Sequence, residues 1–156
     1  MEEFPGSNLG QSIEEKQMID CIFCKIVKKE VPAAIIYEDD FCLVMLDIKP
    51  VNKGHCLVIT KEHYENLFEI SEDRLKKLIS VVQKTAKALK QTCDGVTITQ
   101  NNGKASGQIV NHIHFHVIPR YSTDVHKYDW KTTFYADEKD MKNYVVSLSK
   151  RMDSIR

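Results

Sequence analysis

The order of secondary-structure patterns in this sequence predicts an α+β domain built on an antiparallel sheet. Three short runs rich in β-branched and aromatic residues come first, a long amphipathic helix pattern follows, and two further strand patterns come after it. The connections between the strand patterns are too short for a series of parallel crossovers. We therefore expect a five-stranded antiparallel sheet with a long helix and a C-terminal helix.

The first third of the chain contains an arm, a short helix and three strands. Residues 1–18 carry many charges and few apolar anchors, which indicates a flexible N-terminal arm, and residues 19–156 are expected to form a single domain. The segment IFCKIVKK places apolar residues on one helical face, and Pro32 ends that helix. The runs AAIIYE, FCLVMLD and HCLVIT are predicted strands.

The strongest helix pattern starts at Ser71, continues with two acidic residues and ends before Asp94 and Gly95. Its apolar positions follow the helical period at Leu75, Leu78, Ile79, Val82, Ala86 and Leu89. The runs VTITQN and IHFHVIP are two more strands, joined by NGKASGQ. A last apolar series predicts the C-terminal helix from Met141, Tyr144, Val145, Leu148 and Met152.

Composition excludes several classes of protein. The 156 residues are 42% hydrophobic, which suits one globular domain, and 22 basic residues balance 22 acidic ones. The neutral balance gives no support to binding of nucleic acid or of an anionic membrane surface. Because the sequence shows neither a signal-peptide core nor a long apolar run, we expect a cytoplasmic protein. The odd count of five cysteines predicts free thiols, with Cys42, Cys56 and Cys93 buried as small apolar residues.

Three of the six histidines alternate along one predicted strand: His112, His114 and His116, separated by Ile113 and Phe115. Alternate side chains share a face, so we expect a polar histidine face opposite the core. One interpretation is a solvated sheet face. A second interpretation is a single zinc ion bound by all three histidines. It is disfavoured because the Cα atoms of His112 and His116 lie about 13 Å apart at about 3.3 Å per residue. The third is nucleophilic catalysis by a neutral imidazole.

The segment QNNGKASGQIV leads into the histidine strand and supplies glycines, asparagines and Ser106. Such a loop lets backbone N–H groups converge on an anion such as phosphate, although Asn102 and Gly103 are also typical of an ordinary hairpin turn. It lacks the spacing of a P-loop.

Cys21 and Cys24 form a Cys-x-x-Cys pair, which fits a redox pair, two buried residues or half of a metal site. As a metal site it needs two further ligands, and His63 and His112 are plausible partners by ligand type. A closed Cys₂His₂ zinc site would be structural, since it leaves no open coordination position. It would connect the N-terminal helix to the edge of the histidine strand.

The segment HIHFHVI, residues 112–118, resembles the signature of the histidine-triad (HIT) family, in which three histidines alternate with apolar residues. The similarity extends through CIFCKIVKKEVPAAIIYEDD, LDIKPVNKGHCLVITKEHYENL and NNGKASGQ, covering about residues 21–121, and is strongest to the Hint branch of nucleotide-binding hydrolases. The resemblance implies a homodimer whose two five-stranded sheets form a continuous ten-stranded sheet.

The resemblance also implies a role for each matching residue. His114 would attack the α-phosphate of a nucleotide and form a nucleotidyl-histidine intermediate. The phosphate would be bound by His116, by Asn101 and by the backbone of Gly107, Gln108 and Ile109. Asp47 would accept from the ribose hydroxyls, while Phe23, Ile26 and Ile48 would line the base pocket and His55 would support the histidine network. Zinc would be bound by Cys21, Cys24, His63 and His112.

Ile109 stands where many Hint proteins carry a serine, so any help from that hydroxyl to a leaving amine is missing. The expected function is hydrolysis of purine nucleoside phosphoramidates or other adenylylated compounds such as AMP derivatives, with structural zinc and no organic cofactor. One alternative is hydrolysis of dinucleoside polyphosphates, which changes only the leaving group. The other is a nucleotide-binding interaction protein whose catalysis is incidental.

Overall fold

A computed structural model of the chain describes residues 20–124 and 133–154. They fall into two compact units, one ending at Asp124 and one beginning after it. The elements of the first unit are α1 (Ile22–Val27), β1 (Ile35–Glu38), β2 (Cys42–Leu46), β3 (Cys56–Thr60), α2 (Glu72–Lys90), β4 (Gly95–Thr99) and β5 (His114–Arg120). The second unit contains α3 (Glu138–Ser154). The predicted arm lies outside the described residues, and a single domain over residues 19–156 stays a prediction.

The five strands form one sheet in the order β1-β2-β3-β5-β4. Every neighbouring pair is antiparallel, which confirms the predicted fold class. The histidine strand β5 lies between β3 and β4, with His114 opposite Ile59 and His116 opposite both Leu57 and Thr99. Pairing on both edges holds the backbone of β5 in place, so its side chains have fixed directions.

One face of the sheet packs against α2. The core on this side combines Leu78 and Val82 of the helix with inward-facing residues of the strands, including Phe115 and Val117. Ile79 was predicted to belong to this apolar face, but its side chain is 44% exposed, and Val81 is buried instead. Both residues lie at the margins of the apolar stripe, and the sheet contacts only one margin. The buried stripe is nevertheless the one that the helical period predicts.

The opposite face, which carries the histidines, was predicted to be polar, and this was wrong. The apolar residues of α1 cover part of it and form a second core with strand residues, which comprises Cys21, Phe23, Cys24, Ile26, Leu43, Met45, Leu57 and Ile59. His112 is fully buried, and His114 is only 8% exposed. Alternation predicts which side chains share a face, but it does not reveal that a neighbouring helix covers that face.

The C-terminal helix is confirmed as α3, which contains all five predicted apolar positions. Within its unit the ring of Tyr135 contacts that of Tyr144 at a centroid distance of 5.4 Å. In the described ranges, no helix combines the length and the hydropathy that a membrane crossing needs. All five cysteines are free and buried, as predicted for Cys42, Cys56 and Cys93.

Candidate active site

The backbone of its own strand holds the ring of His114. Its Nδ1–H donates a hydrogen bond to the carbonyl oxygen of His112 at 2.7 Å. Burial lowers the pKa of His114, and the hydrogen bond to His112 and the carboxylate of Asp47 only partly oppose this effect. At neutral pH the ring is therefore uncharged, with its proton on Nδ1 and a lone pair on Nε2. This is the protonation state that a nucleophilic imidazole requires.

His116 belongs to a cluster with His55 and Asp47. Nδ1 of His116 lies 2.9 Å from Nε2 of His55. The Asp47 carboxylate oxygen Oδ2 lies 3.6 Å from His55 Nε2 and 3.9 Å from His116 Nδ1. Burial, reinforced by His114 and His55, lowers the pKa of His116 to about 4, and burial also lowers the pKa of His55. Both rings are therefore neutral at pH 7, although an acidic side chain lies beside them.

A cavity of about 480 Å³ opens beside His114 and His116. Six of the residues predicted to bind substrate line it, namely Phe23, Ile26, Asp47, Ile48, Gly107 and Ile109. Ile48 is 92% exposed and Ile109 is 93% exposed, so these two side chains stand at the mouth of the cavity. The volume and the apolar lining, with a few polar groups at one end, are typical of a small-molecule site.

The loop before β5 is held by a buried glutamine side chain. Nε2 of Gln108 donates to the carbonyl oxygens of Glu65 at 2.7 Å and of Val110 at 3.0 Å. Its Oε1 accepts from the N–H of Gly103 at 2.6 Å. The sequence had suggested only a backbone role for Gln108, and the buried side chain is what stabilises the loop. No pattern in the sequence distinguishes this use of a glutamine from a solvated one.

Gly107 needs its glycine because its φ is +89°, a left-handed backbone conformation. A Cβ at this position would lie 3.5 Å from Nδ2 of Asn101, so the asparagine amide lies directly beside the turn. In the described part of the chain, the cavity wall includes Gly107 and Ile109 but neither Asn101 nor Gln108. Asn101 thus lies next to the loop, and Gln108 supports it through its side chain.

The two cysteines of the Cys-x-x-Cys pair meet two histidines. Sγ of Cys21 lies 3.4 Å from Nδ1 of His112, and Sγ of Cys24 lies 3.6 Å from the same nitrogen and 3.3 Å from Nδ1 of His63. The four ligand atoms all lie within 4.8 Å of one another. Burial is the main cause that raises the pKa of the Cys24 thiol to about 12, and the neighbouring Cys21 is the next. Two adjacent buried thiols become thiolates only if a cation is bound between them.

Comparison with known proteins agrees with this geometry. The family profile described as HIT domain matches residues 28–123, well over half of the chain. The chain belongs to the HIT family. A HIT-like protein of Methanocaldococcus jannaschii is 52% identical over 105 residues, covering 67% of this chain and 81% of the relative. An adenosine 5′-monophosphoramidase of Schizosaccharomyces pombe is 41% identical over 102 residues, covering 65% of this chain and 75% of the relative.

The chain also resembles solved structures of HIT family proteins. A crystal structure of a HIT family protein from Bacillus subtilis has a TM-score of 0.77 and 40% identity, covering 85% of this chain and 96% of the other. A zinc-bound histidine triad family protein from Mycobacterium smegmatis has a TM-score of 0.68 and 34% identity, covering 88% and 99%. The HIT assignment made from the histidine run is therefore confirmed, as is the fold.

The residues at the metal cluster of this HIT protein fit a zinc ion. Tetrahedral zinc with sulfur and nitrogen ligands separates neighbouring ligand atoms by about 3.4–3.8 Å, close to the observed separations. Nε2–H of His112 donates to the carbonyl oxygen of Thr60 at 2.8 Å. The lone pair of His112 is therefore on Nδ1, the nitrogen nearest the sulfurs. All four predicted ligands lie together, and Thr60 is a supporting residue that the sequence did not indicate.

Several residues of the cavity in this HIT protein were not predicted. Met45 of β2 and Leu57 of β3 line it, as do Val31, Ala33 and Val110. Leu57 pairs with both Met45 and His116, so strand register would have indicated Leu57 and Met45 once the sheet order was known. The other three lie in irregular segments, where no periodicity connects them to the histidines.

Proposed function

We propose that this protein hydrolyses nucleotide derivatives at the α-phosphate, with Nε2 of His114 as the nucleophile. The observation that carries the proposal is the fixed protonation state of His114, whose Nδ1–H is bound to a backbone carbonyl while the ring lines a cavity of about 480 Å³. The relative named adenosine 5′-monophosphoramidase supports purine nucleoside phosphoramidates and related adenylylated compounds as the substrate class.

The proposed reaction proceeds in two substitutions at phosphorus. Nε2 of His114 forms a bond to the α-phosphorus while the bond from phosphorus to the leaving amine or oxygen breaks. The leaving group departs with the bonding electron pair, and an amine leaving group takes a proton from solvent. Water then attacks the nucleotidyl-histidine: the bond from phosphorus to the water oxygen forms, the bond to His114 breaks, and a proton of that water is released to solvent. Imidazole suits both steps because it is a good nucleophile and a good leaving group.

The cavity lining includes groups that suit the base and the ribose of a nucleotide. Phe23, Ile26 and Ile48 supply apolar surface for a base, and Asp47 supplies a carboxylate for ribose hydroxyls. Oδ1 of Asp47 already accepts from the N–H of Lys49 at 2.8 Å, which orients the carboxylate. In this proposal His116, Asn101 and the backbone of residues 107–109 bind the phosphate oxygens. The loop can do so at little conformational cost because the Gln108 side chain holds it in place.

A structural zinc ion would be held by Cys21, Cys24, His63 and His112, where it would neutralise two thiolates and cross-link α1 to the start of β5. This cluster is connected to His114 through His112. His112 has two contacts. Its ring nitrogen Nδ1 faces the cysteine sulfurs, and its backbone carbonyl oxygen accepts a hydrogen bond from Nδ1–H of His114. Fixing the side chain of His112 therefore also fixes the acceptor that orients the nucleophile.

A homodimer with a continuous ten-stranded sheet is part of the proposal. The sheet ends in β1 and β4, and β1 has an irregular register between Ile35 and Tyr37. β4 pairs with β5 without a register shift, so β4 offers the more regular edge for a second copy of the chain. Light scattering tests the dimer, and a monomeric mass at micromolar concentration would contradict it. The cytoplasmic location stays a prediction of the sequence.

The decisive experiment compares substrates and one variant. Wild-type protein and His114→Ala are assayed on an adenosine phosphoramidate and on diadenosine polyphosphates at equal concentrations. We expect wild type to prefer the phosphoramidate and the variant to lose at least about a thousandfold in kcat/KM. A preference for the polyphosphates would favour the other hydrolase class. Nucleotide binding without turnover by wild type would favour the interaction protein, and undiminished turnover by the variant would exclude His114 as nucleophile.

A further inference from the structure

The cavity beside His114 has two ends, which follow from the register of the sheet. β5 runs antiparallel to β3, with His116 opposite Leu57 near the start of β3. The β2–β3 connection, residues 47–55, therefore meets the C-terminal half of β5, whereas the loop at residues 107–110 leads into its N-terminal end. Both segments contribute to the lining of the cavity, and the two histidines lie between them.

A nucleotide bound along this cavity has its parts in a fixed order. In the proposed function Asp47 accepts from the ribose hydroxyls, so the ribose lies at the end formed by the β2–β3 connection. The leaving group lies opposite the nucleophile, because the attacking and leaving atoms are in line with phosphorus. It therefore points away from the buried ring of His114, towards the mouth, and away from the ribose, towards residues 107–110.

Ile109 is the large side chain at this loop end of the cavity. It is 93% exposed, so nearly its whole apolar surface is free. Its backbone has a fixed position, because the side chain of Gln108 binds the backbone of Glu65 and Gly103 on either side. Val110 also lines the cavity and packs against the core beneath α1. The loop end thus presents an apolar surface in a fixed place, and covering it with an apolar group of a ligand is favourable.

The charges of the lining indicate the same kind of leaving group. In the part of the chain that the structure describes, the lining carries two charged side chains, Asp47 and Lys49, and both belong to the β2–β3 connection. His114 and His116 are neutral at pH 7, since burial lowers the pKa of each ring. Lys104 is exposed and lies outside the lining. Within the described ranges, the loop end therefore has no cationic side chain to neutralise a polyphosphate or a carboxylate.

We propose that Ile109 is a specificity-determining residue: its side chain binds an uncharged, apolar leaving group, which narrows the substrates to nucleoside phosphoramidates of alkyl or aryl amines. The inference rests on the proposed function, since it requires the α-phosphate to lie at His114. The contact removes apolar surface of the amine and of Ile109 from water in the bound substrate as well as in the transition state. It therefore lowers KM and leaves kcat nearly unchanged.

Three substrates separate the apolar length of the leaving group from its charge. They are the adenosine phosphoramidates of methylamine, n-hexylamine and ε-aminocaproate, and release of AMP is measured for each. We expect wild type to have about tenfold higher kcat/KM for the hexyl than for the methyl compound, the effect of covering about two methylene groups. The aminocaproate compound, which has the same chain length with a terminal carboxylate, should be poorer than the hexyl compound. Equal values for methyl and hexyl, or a preference for the carboxylate, would overturn the proposal.

Two variants of Ile109 test the residue itself. Leucine and asparagine have the same branched shape, so Ile109→Leu and Ile109→Asn differ mainly in polarity. Ile109→Leu should keep the ratio of kcat/KM between the hexyl and methyl compounds, and Ile109→Asn should reduce it to about twofold or less. This ratio cancels any effect on the nucleotide half, which the two substrates share. Equal ratios in the two variants would contradict the assignment.

Ile48 provides a matched control at the opposite end of the cavity, where its side chain is 92% exposed. Ile48→Asn should raise KM for the hexyl and methyl compounds alike, because it changes the surface for the base, and the ratio between them should stay the same. A ratio that falls as far in Ile48→Asn as in Ile109→Asn would place the leaving group elsewhere and refute the proposal.

The same measurements separate failure of this inference from failure of the proposed function. If no substrate releases AMP in wild type, the proposed function fails and the inference fails with it, whereas AMP release at equal efficiency from the methyl and hexyl compounds refutes the inference alone. Light scattering of wild type and Ile109→Asn distinguishes a ligand from a second copy of the chain, and we expect equal masses. A change in mass would assign the Ile109 side chain to an interface between copies and overturn the proposal.

Discussion

The covering of the histidine face by α1 can be tested by shortening the side chain of Phe23. This residue is 6% exposed and lies between the two cysteines of the metal cluster. Its ring contacts those of His112 and His114 edge to face, at centroid distances of 5.7 Å and 5.2 Å. Removing it leaves a void at the point where α1, the cluster of two cysteines and two histidines, and His114 meet.

The magnitude follows from the buried area. A phenylalanine side chain buries about 150 Å² or more, which at about 25 cal/mol per Å² corresponds to about 4 kcal/mol. This agrees with the loss of about 3–5 kcal/mol that is typical of Phe→Ala in a protein core. We therefore expect Phe23→Ala to lower the free energy of unfolding by about 3–4 kcal/mol, whereas Phe23→Leu, which fills most of the volume, should lower it by about 1.5 kcal/mol or less.

The assay is urea unfolding in the presence of excess zinc, so that a loss of metal does not add to the effect. Because Phe23 lines the cavity, the KM for an adenosine substrate should rise in the alanine variant and much less in the leucine variant. A loss below about 1 kcal/mol in Phe23→Ala, or equal losses in both variants, would show that α1 does not pack on the histidine face in solution.

Three further predictions concern other parts of the site. Cys24→Ser should reduce bound zinc to well below one equivalent and lower the melting temperature, as metal analysis and calorimetry would show; full zinc content would refute the ligand assignment. Gly107→Ala should lower kcat/KM about tenfold while costing about 1 kcal/mol of stability, because its φ of +89° is strained for alanine; unchanged kinetics would remove the loop from the phosphate site. Because the folded pKa of His116, about 4, lies below the unfolded value of about 6.5, its contribution to stability is present above about pH 6.5 and is lost as the pH falls towards 4. His116→Gln should therefore show a smaller loss of unfolding free energy between pH 7 and pH 5 than wild type; equal losses in both would contradict this.

The regular elements were predictable because each has a period of its own. β-branched runs predicted the strands, and the 3.6-residue period from Leu75 to Leu89 predicted α2, although the margin of its buried stripe was misjudged at Ile79. The cluster of four residues that could hold a metal ion was predictable from ligand type, since a Cys-x-x-Cys metal site at Cys21 and Cys24 needs two further ligands and His63 and His112 were available. These are local signals, and each belongs to a segment that can be interpreted by itself.

The remaining features depend on which segments meet in space. The burial of the histidine face required knowledge of where α1 packs, which no residue of β5 encodes. The role of the Gln108 side chain depends on the carbonyl of Glu65, 43 positions away in sequence. The proton of His55 likewise depends on a backbone group. The N–H of Val51 donates to Nδ1 of His55, which leaves the proton of His55 on Nε2, the nitrogen beside His116. Backbone groups carry no signature in the residue type, so these contacts become visible only in the fold.

The strand geometry explains why three histidines in register do three different things. Their rings share a face but are too far apart to share a partner, so each meets a different neighbour. His112 keeps the lone pair of Nδ1 towards the cysteines and donates from Nε2 to Thr60. His114 donates from Nδ1 to the carbonyl oxygen of His112, which leaves a lone pair on its Nε2. His116 accepts at Nδ1 a hydrogen bond from His55. In the proposed function, one residue type would thus supply a metal ligand, a nucleophile and a hydrogen-bond donor, because the second partner of each ring decides which nitrogen carries the proton.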